Sequence, residues 1–169
     1  EKWSRIELGF DGYNGWIDNK QFRFITEAEY NKLQQAEPVL NGDLIEYLAS
    51  PDNQLLPISL GTSVTALDDT ALNPENYFFD GLKVSGVKSK QNIVDTAYLY
   101  LNAPYLWGGK TPFGIDCSGM VQMVYKLNGY KLLRDASQQA TQGESLSFIE
   151  ESEPGDLSLI HISEPTRRT

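Results

Sequence analysis

The sequence predicts an α+β protein in which small β-barrel modules precede a mixed domain of helices and strands. Three observations lead there. Residues 3–25 and 39–88 read as short apolar runs broken by Gly, Asn, Asp and Pro, the pattern of short strands and tight turns. From Gln91 the texture changes to apolar residues at helical spacing. At Gly155-Asp156-Leu157 the chain reads as entering a strand again.

Each element has a local reason. In residues 3–8 apolar side chains recur at every second or third position, as in a half-buried strand. Asp11-Gly12-Tyr13-Asn14-Gly15 is turn chemistry, because Asp, Asn and Gly tolerate positive φ, and Gly15-Trp16-Ile17-Asp18 opens the returning strand. Residues 26–35 predict a short helix. Thr26 is its N-cap, Glu29 completes a capping box, and Pro38 closes it. Residues 44–49, 55–64 and 77–86 predict the strands of a second small barrel, and residues 66–76 a polar loop. A helix follows over residues 92–101 with Asp95 in its first turn, and another over 117–127 with Met120, Val121, Val124 and Leu127 on one side. Residues 135–143 predict a third, short helix stopped by Gly143.

Composition excludes several function classes. There are 14 Lys and Arg against 23 Asp and Glu, a net charge of −9, so no nucleic-acid partner is expected, because phosphate binding needs a basic face. No run of about eighteen apolar residues is present, so no membrane-spanning helix is expected. A single cysteine permits no intrachain disulfide and no Cys/His metal cluster, and no metal or cofactor is implied. A monomer is expected. The first residues show neither an initiator Met nor a signal-peptide pattern and read as the middle of a β-rich segment, so a truncated start is expected.

The chemistry concentrates in residues 103–119. Cys117 follows a loop rich in Gly and Pro and precedes the apolar run of residues 117–127, which places it in the first turn of a helix. Free backbone N–H groups and the positive end of the helix dipole favour a thiolate there, and a cysteine nucleophile needs such a setting. The competing reading is a small buried hydrophobe, but Asp116 and Ser118 on either side are a poor context for a core residue.

Four motifs now stand in order: Tyr105-Leu106-Trp107-Gly108-Gly109, Gly114-Ile115-Asp116-Cys117-Ser118-Gly119, Arg134-Asp135-Ala136-Ser137-Gln138-Gln139 and Pro154-Gly155-Asp156-Leu157. This series, over residues 91–156, resembles the NlpC-type family, cysteine peptidases on a papain-like α+β fold that cut bacterial cell-wall peptides. The resemblance implies Cys117 as the nucleophile and Tyr105 as a tyrosine beside the oxyanion site. It implies Asp116, Ser118, Ser137 and Trp107 as substrate-contacting positions, with Trp107 expected to pack rather than react. Arg134 and Asp135 are expected to be structural, through a loop ion pair. The segment around GYNGWID resembles the last strands of a bacterial SH3-type barrel. The expected organisation is a partial SH3-type domain with a linker helix (1–36), a second SH3-like unit (37–90), the N-terminal half of the peptidase domain (91–156) and a tail (157–169). Paired SH3-type modules resemble the subgroup that releases L-Ala-γ-D-Glu dipeptides, in which the first barrel narrows the cleft; Asp11 and Tyr13 are candidates for that part.

The resemblance also exposes a mismatch. The family takes a histidine base from a strand that returns after Gly-Asp-Leu. The only histidine here, His161, follows Asp156 by five residues, too few for a strand, a turn and a return. Residues 157–167 resemble the translation of a sequencing-library adapter, so the tail is expected to be non-native and His161 not to be the base. Three readings stand open. The first is a cysteine peptidase hydrolysing γ-D-glutamyl–diamino acid bonds in peptidoglycan-derived peptides, inactive in the chain as given. The second is a non-catalytic module that binds cell-wall peptide. The third is an interaction protein with an inert Cys117.

Overall fold

The computed structural model describes residues 2–159. Strands β1 (Trp3–Glu7) and β2 (Asn14–Asp18) form an antiparallel hairpin in which Trp3 faces Asp18 and Glu7 faces Asn14. The connecting turn is closed by Leu8 N–H donating to Tyr13 O (2.9 Å) and by the Asp11 carboxylate accepting from Tyr13 N–H (3.1 Å), with Gly12 at φ +71°. Helix α1 (Glu27–Gln35) has the expected capping box: Thr26 Oγ1 accepts from Glu29 N–H, and the Glu29 carboxylate accepts from Thr26 N–H. None of its residues is buried, so its caps carry more of its stability than packing does.

Strands β3 (Leu40–Asn41) and β6 (Lys83–Val84) pair, as do β4 (Ile45–Ala49) and β5 (Leu55–Ser59). Isolated bridges join Leu40 to Ser63 and Ala49 to Phe78. The strands expected from residues 1–88 are therefore largely present. They form separate two-stranded sheets, with no closed barrel among the described residues. Residues 66–82 contribute turns rather than a long strand, anchored by buried Asn73, whose amide spans Leu67 O, Tyr77 O and Tyr77 N–H. These side-chain bonds compete with strand pairing for the local backbone.

Helix α2 (Lys90–Tyr98) begins two residues earlier than expected, because Ser89 caps it by accepting from Asn92 N–H; Asp95 thus falls beyond the first turn. The short pair β7 (Lys110–Thr111) and β8 (Gly114–Ile115) leads into α3 (Cys117–Leu127), which has the expected bounds. Its buried face is Ser118, Gly119, Gln122, Met123, Val124 and Leu127, whereas Met120 and Val121 are only half-buried. The expected apolar stripe was displaced because Gln122, a polar residue, takes a central core position. Helix α4 (Ala136–Gln139) is a single turn, shorter than expected, with Gly143 lying beyond it at φ +80°.

Gly155 and Asp156 form a turn instead of a strand. Asp156 N–H donates to Glu153 O (3.0 Å), and its carboxylate accepts from Glu153 N–H (2.7 Å). Local side-chain bonding again displaces the extended form. His161 lies outside the described residues.

One apolar cluster holds these parts together: Leu40, Leu60, Ile93, Tyr100, Ile115, Met123, Val124 and Leu127. Leu40 and Leu60 belong to the second β-rich segment and the others to α2, β8, α3 and their connections, so that segment and the helices share a core. No helix among the described residues is long and apolar enough to cross a membrane.

Candidate active site

Cys117 is the first residue of α3 and is exposed. Its position depends on the residue before it. Asp116 is the N-cap, in extended conformation (φ −97°, ψ 172°), and its Oδ1 accepts from Gly119 N–H at 2.7 Å. Oδ2 accepts from Gly108 N–H at 2.7 Å. Arg134 donates to both oxygens, Nη1 to Oδ1 at 3.0 Å and Nη2 to Oδ2 at 2.8 Å, and Nη1 also reaches Ser118 Oγ at 2.9 Å. The two side chains are 10 % and 9 % exposed. Burial opposes the charged form of Asp116, but the donors from Arg134, Gly119 and Gly108 outweigh it and take the carboxyl down to about 2. The same pairing raises Arg134, against the opposing effect of burial.

The Tyr105–Gly109 loop is strapped over this ion pair. Ile115 N–H donates to Pro104 O (3.0 Å), Leu106 N–H to Ile115 O (3.1 Å), and Asp116 N–H to Gly109 O (3.3 Å). Tyr105 forms a parallel bridge with Ile115, two residues before Cys117. The closeness of these strands explains two glycines. A Cβ at Gly109 would overlap Gly114 O, and one at Gly119 would overlap Gly109 O and stand 2.8 Å from Asp116 Oδ1.

The sequence-derived residues thus fall into two sets. Cys117, Tyr105, Trp107 and Ser137 are exposed, Tyr105 by 66 % and Trp107 by 85 %. Trp107 does not pack into the core as expected. Its neighbours Gly108 and Gly109 are held by backbone bonds, which leaves the indole outside the strap. Ser137 is the second residue of α4; the cap position belongs to Asp135, whose N–H donates to Gln138 Oε1 (3.0 Å). Asp116 and Ser118 are buried beneath, with both Asp116 oxygens occupied by protein donors. Arg134 was expected to pair with Asp135; its partner is Asp116, eighteen residues away, because the buried carboxylate offers two aligned acceptors.

Sequence reasoning missed two residues. Gln139 is 2 % exposed and donates from Nε2 to Ser118 O (3.0 Å) and Leu133 O (2.9 Å), tying the first turn of α3 to the 133–139 segment. Gln122 is fully buried and donates to Asp11 Oδ2 (2.8 Å) and Leu132 O (3.0 Å), which brings the β1–β2 turn onto α3. A polar residue on an otherwise apolar helical face was the available signal for Gln122.

A strapped loop, a buried carboxylate–guanidinium pair and an exposed thiol at a helix start define a candidate nucleophile site. Residues 102–167 match the sequence model of the NlpC/P60 family. The chain is 40 % identical over 86 residues to a γ-D-glutamyl-L-lysine dipeptidyl-peptidase of Bacillus subtilis, covering 50 % of this chain and 29 % of that protein. It is 24 % identical over 163 residues to the Bacillus cereus protein of the same name, covering 87 % of this chain and 49 % of the relative. A crystal structure of an NlpC/P60 family protein from Bacillus cereus superposes with a TM-score of 0.72 at 21 % identity, over 90 % of this chain and 57 % of the other. The chain therefore spans between about a third and about half of the length of these curated relatives. Residues 102–167 are thus similar in sequence to the NlpC/P60 family, and the described residues share a mixed α/β fold with the Bacillus cereus protein.

Proposed function

We propose that Cys117 is the nucleophile of a cysteine peptidase that hydrolyses γ-D-glutamyl–diamino acid bonds in peptidoglycan-derived peptides. The observation that carries this reading is the placement of an exposed thiol at the first residue of α3, directly after a buried, ion-paired N-cap. The family match and the relatives' names support the reaction class. In the proposed reaction the Cys117 thiolate attacks the γ-glutamyl carbonyl, the amine of the diamino acid leaves, and water releases the acyl group. The free N–H groups of the α3 start and the Tyr105 hydroxyl are the donors offered for the developing oxyanion. Ser137 and Trp107, both exposed, are assigned to peptide contact. Asp116 and Ser118 serve mainly to hold the α3 start. The hairpin of residues 3–18 and the 40–84 segment are assigned to two SH3-type modules, a reading supported by the GYNGWID turn and the antiparallel β1–β2 pair.

The base is the open element. No histidine lies in residues 2–159, and His161 is not assigned to the role. This observation favours a second reading, in which these residues hold cell-wall peptide without cleaving it. The two separate experimentally. Under the first, L-Ala-γ-D-Glu-L-Lys slows iodoacetamide alkylation of Cys117, the 169-residue chain alone does not cleave the peptide, and added imidazole restores cleavage that Cys117→Ala abolishes. Peptide protection without imidazole rescue supports the binding module. No protection at all sinks both. Cleavage lost in His161→Ala overturns the statement that His161 is not the base.

A further inference from the structure

A second site lies at the opposite end of α3. A cavity of about 600 Å³ opens between the β1–β2 turn, the end of α1, the β6 loop and the α3 C-terminus. That volume is in the usual range for small-molecule pockets, and the position between packed segments is typical of them. Its apolar walls include Leu33, Leu40, Val84 and Leu127. Phe10 and two lysines, Lys126 and Lys131, line it as well. At 1.5 Å per residue along α3, Lys126 stands about 14 Å from Cys117, so this is not the nucleophile site.

The charge at this cavity is unbalanced. Lys126, Lys131 and Lys110 converge on the single Phe10 ring, with Nζ at 5.2, 5.8 and 5.9 Å from its centroid. None of the three forms an ion pair among the described residues, although Lys126 Nζ donates one hydrogen bond to Gly61 O at 2.9 Å, which leaves its charge without a counter-ion. Asp11 acts on both Lys110 and Lys126, with Asp116 also acting on Lys110, and Asp11 Oδ2 is taken by Gln122. Glu37 lines the cavity without pairing to either lysine. Burial drives Lys126 down to about 8, with Lys110 adding to the effect and Asp11 opposing it. Three cations gathered on one ring in a chain of net charge −9 form a local positive site beside apolar walls. A cluster of this kind is stabilised by an anion.

We propose that this cavity binds a small monoanionic ligand whose carboxylate meets Lys126 and Lys131 and whose apolar body fills the space against Leu33, Leu40 and Val84. The backbone forms one firm wall: Gly129 has φ +82° and a Cβ there would overlap Gly86 O, while Lys88 N–H donates to Asn128 O (3.1 Å). The site is thus preorganised on the ligand's far side.

The test uses the full chain, ¹⁵N-labelled and titrated with 4-phenylbutanoate and, separately, with the neutral isostere 4-phenylbutanamide. The expected result is saturable shifts of the Gly86, Gly129, Tyr130 and Lys131 amides with the acid, and at least tenfold weaker binding of the amide. Lys131→Met, at the exposed rim, is expected to weaken the acid at least fivefold and to leave the amide unchanged. Lys126→Met is expected to do so more strongly, and circular dichroism verifies that each variant folds. Equal binding of acid and amide, shifts centred elsewhere, or full acid affinity in folded Lys131→Met would each overturn the proposal. Alkylation of Cys117 in the same samples is expected to be unaffected, so the outcome does not depend on the peptidase reading.

Discussion

Asp116 gathers more of the site's energetics than the cysteine beside it. Five protein donors, the N–H groups of Gly108 and Gly119, Arg134 Nη1 and Nη2 and the Ser118 hydroxyl, converge on one buried carboxylate. Removing one partner of such a pair leaves an uncompensated charge. Arg134→Ala is therefore expected to cost about 3–5 kcal/mol in urea denaturation, a typical penalty for a broken buried ion pair. The pH dependence follows from the lowered pKa of about 2. A carboxyl depressed below its unfolded value near 3.9 contributes stability that is fully present above about pH 4 and is lost as pH falls toward 2. The stability advantage of wild type over Asp116→Asn is expected to shrink across that window; an advantage that stays constant there would contradict the assignment. The position of Cys117 at a helix start was legible at this scale because it stands between Gly-rich and apolar-periodic sequence. The partner of Arg134 was not, since Asp135 is adjacent in sequence and Asp116 is adjacent only after the 102–116 loop folds back.

The elements show where local signals sufficed and where they did not. Thr26 and Glu29 encode their helix start in four residues, and the capping box forms as read. Because α1 buries nothing, Thr26→Ala is expected to cost about 1 kcal/mol and to show as faster amide exchange across residues 27–30, with little change elsewhere. A change confined to another element would refute it. The bounds of α3 were legible because Asp116 is both a capping residue and the end of the Gly/Pro loop. The closed barrels expected from the sequence are absent among the described residues. Their sequence carries strands and turns, but pairing between distant strands leaves no local periodicity, and side chains such as Asn73 fix turns within residues 66–82 that propensity reads as strand margins. The strand expected at Gly155 failed for a similar reason, since Asp156 bonds Glu153 locally. The Gly109–Gly119 contact sits at the junction of loop and helix. Gly119→Ala would press a methyl group onto Gly109 O, and overpacking of this kind costs about 1–3 kcal/mol. It is also expected to alter the rate of Cys117 alkylation, because the strap and the α3 start must separate to make room.

At the scale of the whole molecule, the question is how the N-terminal hairpin is held to the helical part. The shared core does not include it: Leu40 and Leu60 join the helices, but no residue of β1 or β2 belongs to that cluster. The hairpin instead reaches α3 through its turn, by Phe10 under the three lysines and by Asp11 accepting from Gln122. Gln122 is fully buried, and its Nε2 is shared between Asp11 Oδ2 and Leu132 O. Asp11→Ala therefore removes one acceptor but leaves the other, so α3 keeps its main restraint. A net cost of about 1.5–3 kcal/mol is usual for a hydrogen bond to a charged group, and here it falls on the hairpin, through its docking and through the turn bond from Tyr13 N–H, rather than on the core. The expected signature is regional. Amide exchange should accelerate in residues 3–18 while Val124 and Leu127 keep wild-type protection, because local opening need not unfold the shared core. Gln122→Ala gives the contrast. It removes both bonds, leaves Leu132 O without this donor and opens a void beneath α3, so global stability should fall as well. If Asp11→Ala lowered protection across α3 as much as Gln122→Ala does, the hairpin would belong to the cooperative core and the turn contact would not be a separable joint.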